Sequence, residues 1–347
     1  MDSKERFHRT LNRESVDRPA WWLGLPTAEA LPALYRHFSV ANFAELKNAV
    51  NDDIWTIDLP YENGTTNAVS MAFDFAKEDL KLSYSERTLT SPGFFEDYED
   101  IQDFGRFDRW PDPEKYIHRS SCEALLEQAP PEKPILGILW SAHFQDACAA
   151  FGMQDALIKM KIAPELFRAV IDRIVQFYLR ANELFFEYTK GKIDAVLIGN
   201  DFGTQTGLIV SGEDLREFVF PGTKLLIEQA HSYGVKVIHH SCGAIRDVIP
   251  DLISCGADAI HPIQALAKGL EPNSLKQEFG ERISFAGGVD AQQLLVNGTP
   301  ENVRRKVFEL REIFPTGLVI SPSHEAILPD IPPENVRALS DAMKEVI

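Results

Sequence analysis

Val237-Ile238-His239-His240-Ser241-Cys242-Gly243 is an apolar run that closes on a His-x-Cys pair and ends at a glycine. Side chains alternate across a strand with a period of two, so His240 and Cys242 point one way and His239 the other. His239 is expected to face a helix. An imidazole and a thiolate two residues apart can touch one ion, and both are good zinc ligands. The same pair would also serve as an ordinary pocket wall. Further ligands nearby decide between the two readings.

Working outward, short apolar runs bounded by Gly, Pro or Asp recur along the chain. With Val235–His240 they are Ala20–Leu25, Asp53–Leu59, Pro134–Trp140, Ala195–Asp201, Asp258–Pro262, Ile283–Gly287 and Leu318–Ser321. Such runs read as buried parallel strands. Helical spacing separates most of them, over Pro164–Thr189, Asp214–Ser232 and Val303–Phe314. Thr299-Pro300 supplies an N-cap and a first-turn proline, and Ser211 with Asp214 reads as a capping box. Eight alternating units predict an α/β protein of the (β/α)8 TIM-barrel class, a single domain over residues 1–347. An open α/β sheet is the alternative. Between strands two and three, residues 61–132 read as an insertion near the barrel mouth, built of a hairpin plus helices.

Composition sets limits on function. The 347 residues carry 35 Lys+Arg against 52 Asp+Glu, a formal charge of −17 that speaks against nucleic acid and anionic membranes as partners. No apolar run reaches membrane-spanning length and the first residues are charged, so a cytoplasmic protein acting on a small molecule is expected. The four cysteines show no disulfide framework.

A barrel of this class carries its chemistry at the C-terminal ends of the strands. Those ends hold Trp22, Asp58, Trp140, Asp201 with Gln205, His240 with Cys242, His261, Asp290, and His324 with Glu325. His324 is the expected third ligand beside His240 and Cys242. A His2Cys set with an open fourth position is a catalytic rather than a structural zinc pattern. Asp201 is expected as catalytic carboxylate or proton relay, and it or Glu325 could hold the imidazoles from behind. Trp22, Trp140, Gln205 and Asp290 are expected to line the substrate pocket, although the tryptophans could equally be barrel packing.

Several stretches resemble the uroporphyrinogen decarboxylase superfamily over essentially the whole chain. They are Arg6-Phe7 with Leu11, Asp17-Arg18-Pro19, Gly287-Gly288-Val289-Asp290, Gly298-Thr299-Pro300-Glu301, and Ser323-His324 followed by Leu328-Pro329-Asp330-Ile331-Pro332-Pro333-Glu334-Asn335-Val336. The resemblance implies a (β/α)8 barrel and one of two chemistries: cofactor-free decarboxylation of tetrapyrroles, or zinc-dependent methyl transfer with corrinoid proteins. The decarboxylases carry an Arg-Gln-Ala-Gly-Arg run after the first strand, whose guanidinium groups clamp carboxylates. This chain has Gly24-Leu25-Pro26-Thr27 there, and a tyrosine of the decarboxylases falls on Cys148. Asp58 matches their strand-two aspartate, which makes it a candidate catalytic group.

His240-Ser241-Cys242 and Asp201-Phe202-Gly203-Thr204-Gln205 resemble the methyltransferase branch instead. That branch commonly has cysteine at the position of His324. The resemblance therefore implies a zinc-dependent methyltransferase that moves a methyl group between a corrinoid protein and a thiol or methoxy substrate. A homodimer is also implied. The alternatives are a metal-free decarboxylase using Asp58 and His324, and a non-catalytic barrel that binds a corrinoid or a partner protein.

Overall fold

A computed structural model of the chain describes residues 1–62, 93–108 and 110–345. Seven strands form one parallel sheet in sequence order: β2 (Trp55–Asp58), β3 (Ile135–Trp140), β4 (Ala195–Gly199), β5 (Lys236–His240), β6 (Ala259–Ile263), β7 (Ser284–Val289) and β8 (Leu318–Pro322). All seven fall on expected runs, and helices connect most of them, as parallel neighbours require. The first expected strand differs. Only its tail, β1 (Leu25–Pro26), is a strand, and it pairs in parallel with β9 (Ala326–Ile327) just beyond β8.

The reason lies at Gly24, whose φ of +89° turns the chain between Trp22 and Leu25. A side chain there would also sit 2.4 Å from the Glu325 carbonyl oxygen, so only glycine permits this approach. The preceding segment still ties the two edges of the sheet together. Trp22 N–H donates to Ile320 O (3.0 Å) and Ile320 N–H to Ala20 O (2.8 Å), while Asp53 N–H donates to Trp21 O (3.1 Å). A curled parallel sheet with both edges bound to one segment is consistent with a (β/α)8 barrel.

The strand period sorts the core accordingly. One apolar cluster takes alternate residues from every strand position: Ala20 and Trp22, Ile54, Leu136 and Ile138, Ala195 and Leu197, Ile238, Ala259, Ala286 and Val319. Phe7 and Leu11, from the N-terminal helix Ser3–Leu11, join it from the opposite end to the strand termini. Continuing the same alternation toward those termini reaches Asp58, Trp140, Asp201, His240 and His261. The interior thus changes from apolar to polar within one or two residues.

That lower end is held by charge. Asp53 is buried and accepts from Arg6 Nη1 (2.8 Å), Arg18 Nη1 (2.6 Å), Ser3 Oγ (2.8 Å) and Trp21 N–H (3.0 Å). Arg6 also meets Asp17 through two bonds of 2.8 Å, and this pairing holds the Asp17 carboxyl well below the usual range despite partial burial. Residues that carried the family resemblance therefore serve to seat the first helix.

Helix Pro164–Thr189 spans the expected residues. The second expected helix starts two residues early at Gly212, with Ser211 accepting from Asp214 N–H, and a π-helical turn occupies Leu215–Val219 before Phe220–Ser232. Pro221 has no N–H for the ladder, which accounts for the altered turn. Thr299 and Asn302 form a capping box at Pro300–Ile313. Of the expected insertion, residues 63–92 lie outside the described residues, and the hairpin expectation falls on them. The rest contains helices Ile101–Gly105 and Arg119–Glu127. Phe95 packs edge-on against Phe94, Tyr98, Phe104 and Phe107 and meets Phe151 of the neighbouring helix. Among the described residues no helix is long and apolar enough to cross a membrane.

Candidate metal centre

Two loops bring the centre together. The turn after β4 and the turn after β5 touch backbone to backbone at Gly203 and Gly243, where an added Cβ on Gly243 would lie 2.2 Å from Gly203 C. Ala244 N–H donates to Thr204 O (2.7 Å) across the same junction. The contact sets Asp201 beside Cys242, whose N–H donates to Asp201 Oδ1 (2.9 Å). Gln264, after β6, accepts from Gly243 N–H (2.7 Å) and braces the turn from the other side.

Asp201, His240 and Cys242 each offer a ligand atom within 4.8 Å of the other two. His240 Nε2 lies 3.2 Å from Asp201 Oδ1 and 3.5 Å from Cys242 Sγ. A second overlapping group consists of His240, His261 and Glu325. It meets the other edge of the His240 ring, with Nδ1 2.9 Å from His261 Nδ1 and 3.6 Å from Glu325 Oε2. His324 stands alongside rather than within either group. Its ring centroid is 6.4 Å from that of His240, nearly perpendicular, and its Nδ1 is 3.5 Å from Glu325 Oε2. Its Nδ1 also accepts from Ala326 N–H (3.1 Å).

The electrostatics favour a cation. Burial alone would push Asp201 up, but the hydrogen bond and charge of His240 outweigh it and bring the carboxyl to about 2. Burial likewise opposes the charged forms of His240 and Cys242. The Glu325 and Asp201 carboxylates nevertheless raise His240, and hydrogen bonds from His240 and His324 lower Cys242. Hydrogen bonding to Cys242 raises His324 against a smaller burial penalty. The shifts thus run toward the charged forms of the thiol and both imidazoles within one buried cluster, an arrangement in which a metal ion can displace protons from its ligands.

Trp140 is half-buried and presents its ring edge-on to His240 at 5.2 Å between centroids. Trp22 is buried within the apolar cluster, its ring 5.4 Å from that of His261. Asp58 stands half-buried on the same inner face, and burial pushes its carboxyl up to about 6. Gln205 is exposed. The Asp290 carboxylate is engaged by the N–H groups of Gln292, Gln293 and Leu294 (2.8–3.1 Å), so it caps the following turn. His239 is fully buried and stacks on Phe202, facing away from His240 as the strand period requires.

Sequence reasoning passed over Gln145, which bonds Asp201 through both its side-chain amide (3.4 Å) and its carbonyl (3.3 Å, from Asp201 N–H). No pattern in the sequence flags that residue. His261, placed by sequence only at a strand end, proves to be the register partner of His240 on the adjacent strand.

The family model described as uroporphyrinogen decarboxylase (URO-D) matches residues 2–346. The chain belongs to this family. Uroporphyrinogen decarboxylase from Chlorobaculum tepidum is 24% identical over 191 residues, 53% of this chain and 49% of the relative. Methylated-thiol–coenzyme M methyltransferase from Methanosarcina mazei is 28% identical over 216 residues, 61% of this chain and 53% of the relative. The chain thus spans about half the length of the curated relatives it matches. A solved methyltransferase from Methanosarcina mazei superposes on 99% of this chain and 98% of its own, with a TM-score of 0.68 at 16% identity. That likeness establishes a shared fold. The relatives of this chain thus include both a decarboxylase and a methyltransferase.

Proposed function

We propose that this URO-D family member is a zinc-dependent methyltransferase-like enzyme built as a single closed (β/α)8 barrel. The observation that carries the reading is the convergence of Asp201, His240 and Cys242, with ligand atoms within 4.8 Å of one another and the His324 ring 6.4 Å from that of His240. The donor set fits zinc, which takes thiolate sulfur, imidazole nitrogen and carboxylate oxygen. His240 and Cys242 would hold the ion. His324 would serve as third ligand after a small side-chain movement, with Asp201 as the alternative.

Bound there, zinc would supply Lewis acidity that makes an incoming thiol acidic near neutral pH. The protein's own groups prepare the rest. Asp201 fixes the Cys242 turn by accepting its N–H. Glu325 lies within 3.6 Å of both His240 and His324 and balances their charge. Trp140 packs its ring against that of His240 at 5.2 Å between centroids. The methyl group is read as moving between a corrinoid carried by a partner protein and a small molecule, either a thiol that accepts it or a methoxy compound that gives it up; the relative named as a methylated-thiol–coenzyme M methyltransferase supports methyl transfer. A cytoplasmic homodimer completes the proposal.

The test is elemental analysis of the purified chain. About one zinc per chain, lost in Cys242→Ala and in His240→Ala, is the expected result. A folded, zinc-free wild type would refute the reading.

Asp58 supports a second reading. A carboxyl held near 6 on the inner face of the mouth is poised for proton transfer close to neutral pH, as a metal-free decarboxylation would require. Carbon dioxide release from a panel of carboxylated substrates by the zinc-free protein would favour it. The segment Gly24–Thr27 carries no guanidinium and is spent on pairing β1 with β9, which weighs against a polycarboxylate substrate.

A further inference from the structure

His261 lies outside the Asp201, His240 and Cys242 group, belonging instead to the overlapping one with His240 and Glu325, and it is fully buried one strand away from His240 and in register with it. Its Nδ1 lies 2.9 Å from Nδ1 of His240, and its Nε2 is buried without a hydrogen-bond partner among the described residues. At that separation one of the two nitrogens must carry a proton and the other a bare lone pair. The opposite edge of the His240 ring decides which. Nε2 of His240 faces Asp201 Oδ1 at 3.2 Å and Cys242 Sγ at 3.5 Å, so a cation seated beside those two groups needs a bare lone pair on Nε2. The ring proton of a neutral His240 then belongs on Nδ1, and His261 Nδ1 must accept it.

We propose that His261 is a positioning residue that locks His240 in its Nδ1–H tautomer and orientation, so that Nε2 faces the metal position. The inference rests on the metal reading above. Glu325 is the competing acceptor, but its carboxylate oxygen is 3.6 Å from His240 Nδ1, beyond hydrogen-bond length, and it is shared with His324 at 3.5 Å. The lone pair of His261 is nearer and unshared. Histidine accomplishes here what a carboxylate or carbonyl usually does behind a metal-bound imidazole. A neutral acceptor adds no negative charge to the inner face of the ring. Metal uptake would replace whatever proton Nε2 carries while the bond between the two Nδ1 atoms stays in place.

Two measurements on the full chain test this. In long-range proton–nitrogen correlation spectra, His261 is expected with its proton on Nε2 and His240 with a proton on Nδ1, both before and after zinc is added. A proton on Nδ1 of His261 overturns the proposal. Zinc affinity, read by chelator competition, is expected to weaken about 10–100-fold in His261→Phe, which removes the acceptor. His261→Asn keeps an acceptor near the Nδ1 position and is expected to stay within about threefold of wild type. Equal weakening in both variants, or none in His261→Phe, also overturns it. If wild type takes up no zinc, the metal reading fails by itself, and the spectra of the metal-free chain still decide where the proton lies. If His261→Phe does not fold, His261→Asn and the spectra carry the test.

Discussion

Gly243→Ala should cost far more stability than a glycine substitution on the surface, because the position joins two demands. Its φ is +85°, a conformation that costs an L residue about 1–2 kcal/mol. An added methyl would also stand 2.2 Å from both the carbon and the oxygen of Gly203, against the ordinary contact of about 3.5–4.0 Å. Both neighbours are backbone atoms, which cannot rotate away, so the two turns must separate by an ångström or more. Overpacking of this kind costs about 1–3 kcal/mol, for a total of roughly 2–5 kcal/mol. Gly234→Ala is the matched control, since its φ is +73° and nothing lies within 4 Å of the added carbon. It should lose only roughly 1–2 kcal/mol. Urea unfolding of the two variants measures the difference. Because the separation would also pull Asp201 from Cys242, metal uptake should weaken in Gly243→Ala and not in Gly234→Ala. Equal stability of the two variants, with metal uptake intact in both, would refute the close-approach argument.

Asp53→Ala strips the shared acceptor from Arg6, Arg18 and Trp21 and should destabilise by about 3–5 kcal/mol in urea unfolding, as expected when one partner of a buried ion pair is removed. Asp58→Asn tests the raised carboxyl. A folded-state value near 6 against 3.8 unfolded favours the folded state below about pH 4, an advantage lost as pH rises through 6. The variant should therefore flatten the fall in unfolding free energy across that window, and an unchanged slope would show that the group titrates normally. Thr299→Ala removes the capping box and should cost about 1 kcal/mol, read as a small drop in melting temperature with the metal site unaffected.

Much of this protein is legible as one-dimensional pattern. Seven strands and the long helix Pro164–Thr189 fell where apolar runs and breakers placed them, because burial on both faces of a parallel strand leaves a continuous signature. The period of two also separated His239 from His240 and Cys242 without any coordinates. The first strand escaped because Gly24 bends the chain toward Glu325, a contact 301 positions away in sequence. Gln145 escaped for a related reason, since nothing local marks a side chain that will meet Asp201.

His240-Ser241-Cys242 was thus legible from sequence as two potential ligands on one face at a strand end. Local alternation needs only the chain's own stereochemistry. Which atoms those ligands meet was settled by tertiary structure alone. The Gly203–Gly243 contact brings Asp201 to Cys242, the β5–β6 register brings His261 to His240, and the turn after β8 leaves His324 beside the centre. These are distances between segments far apart along the chain, set by how the strands register and how closely two backbones can pack.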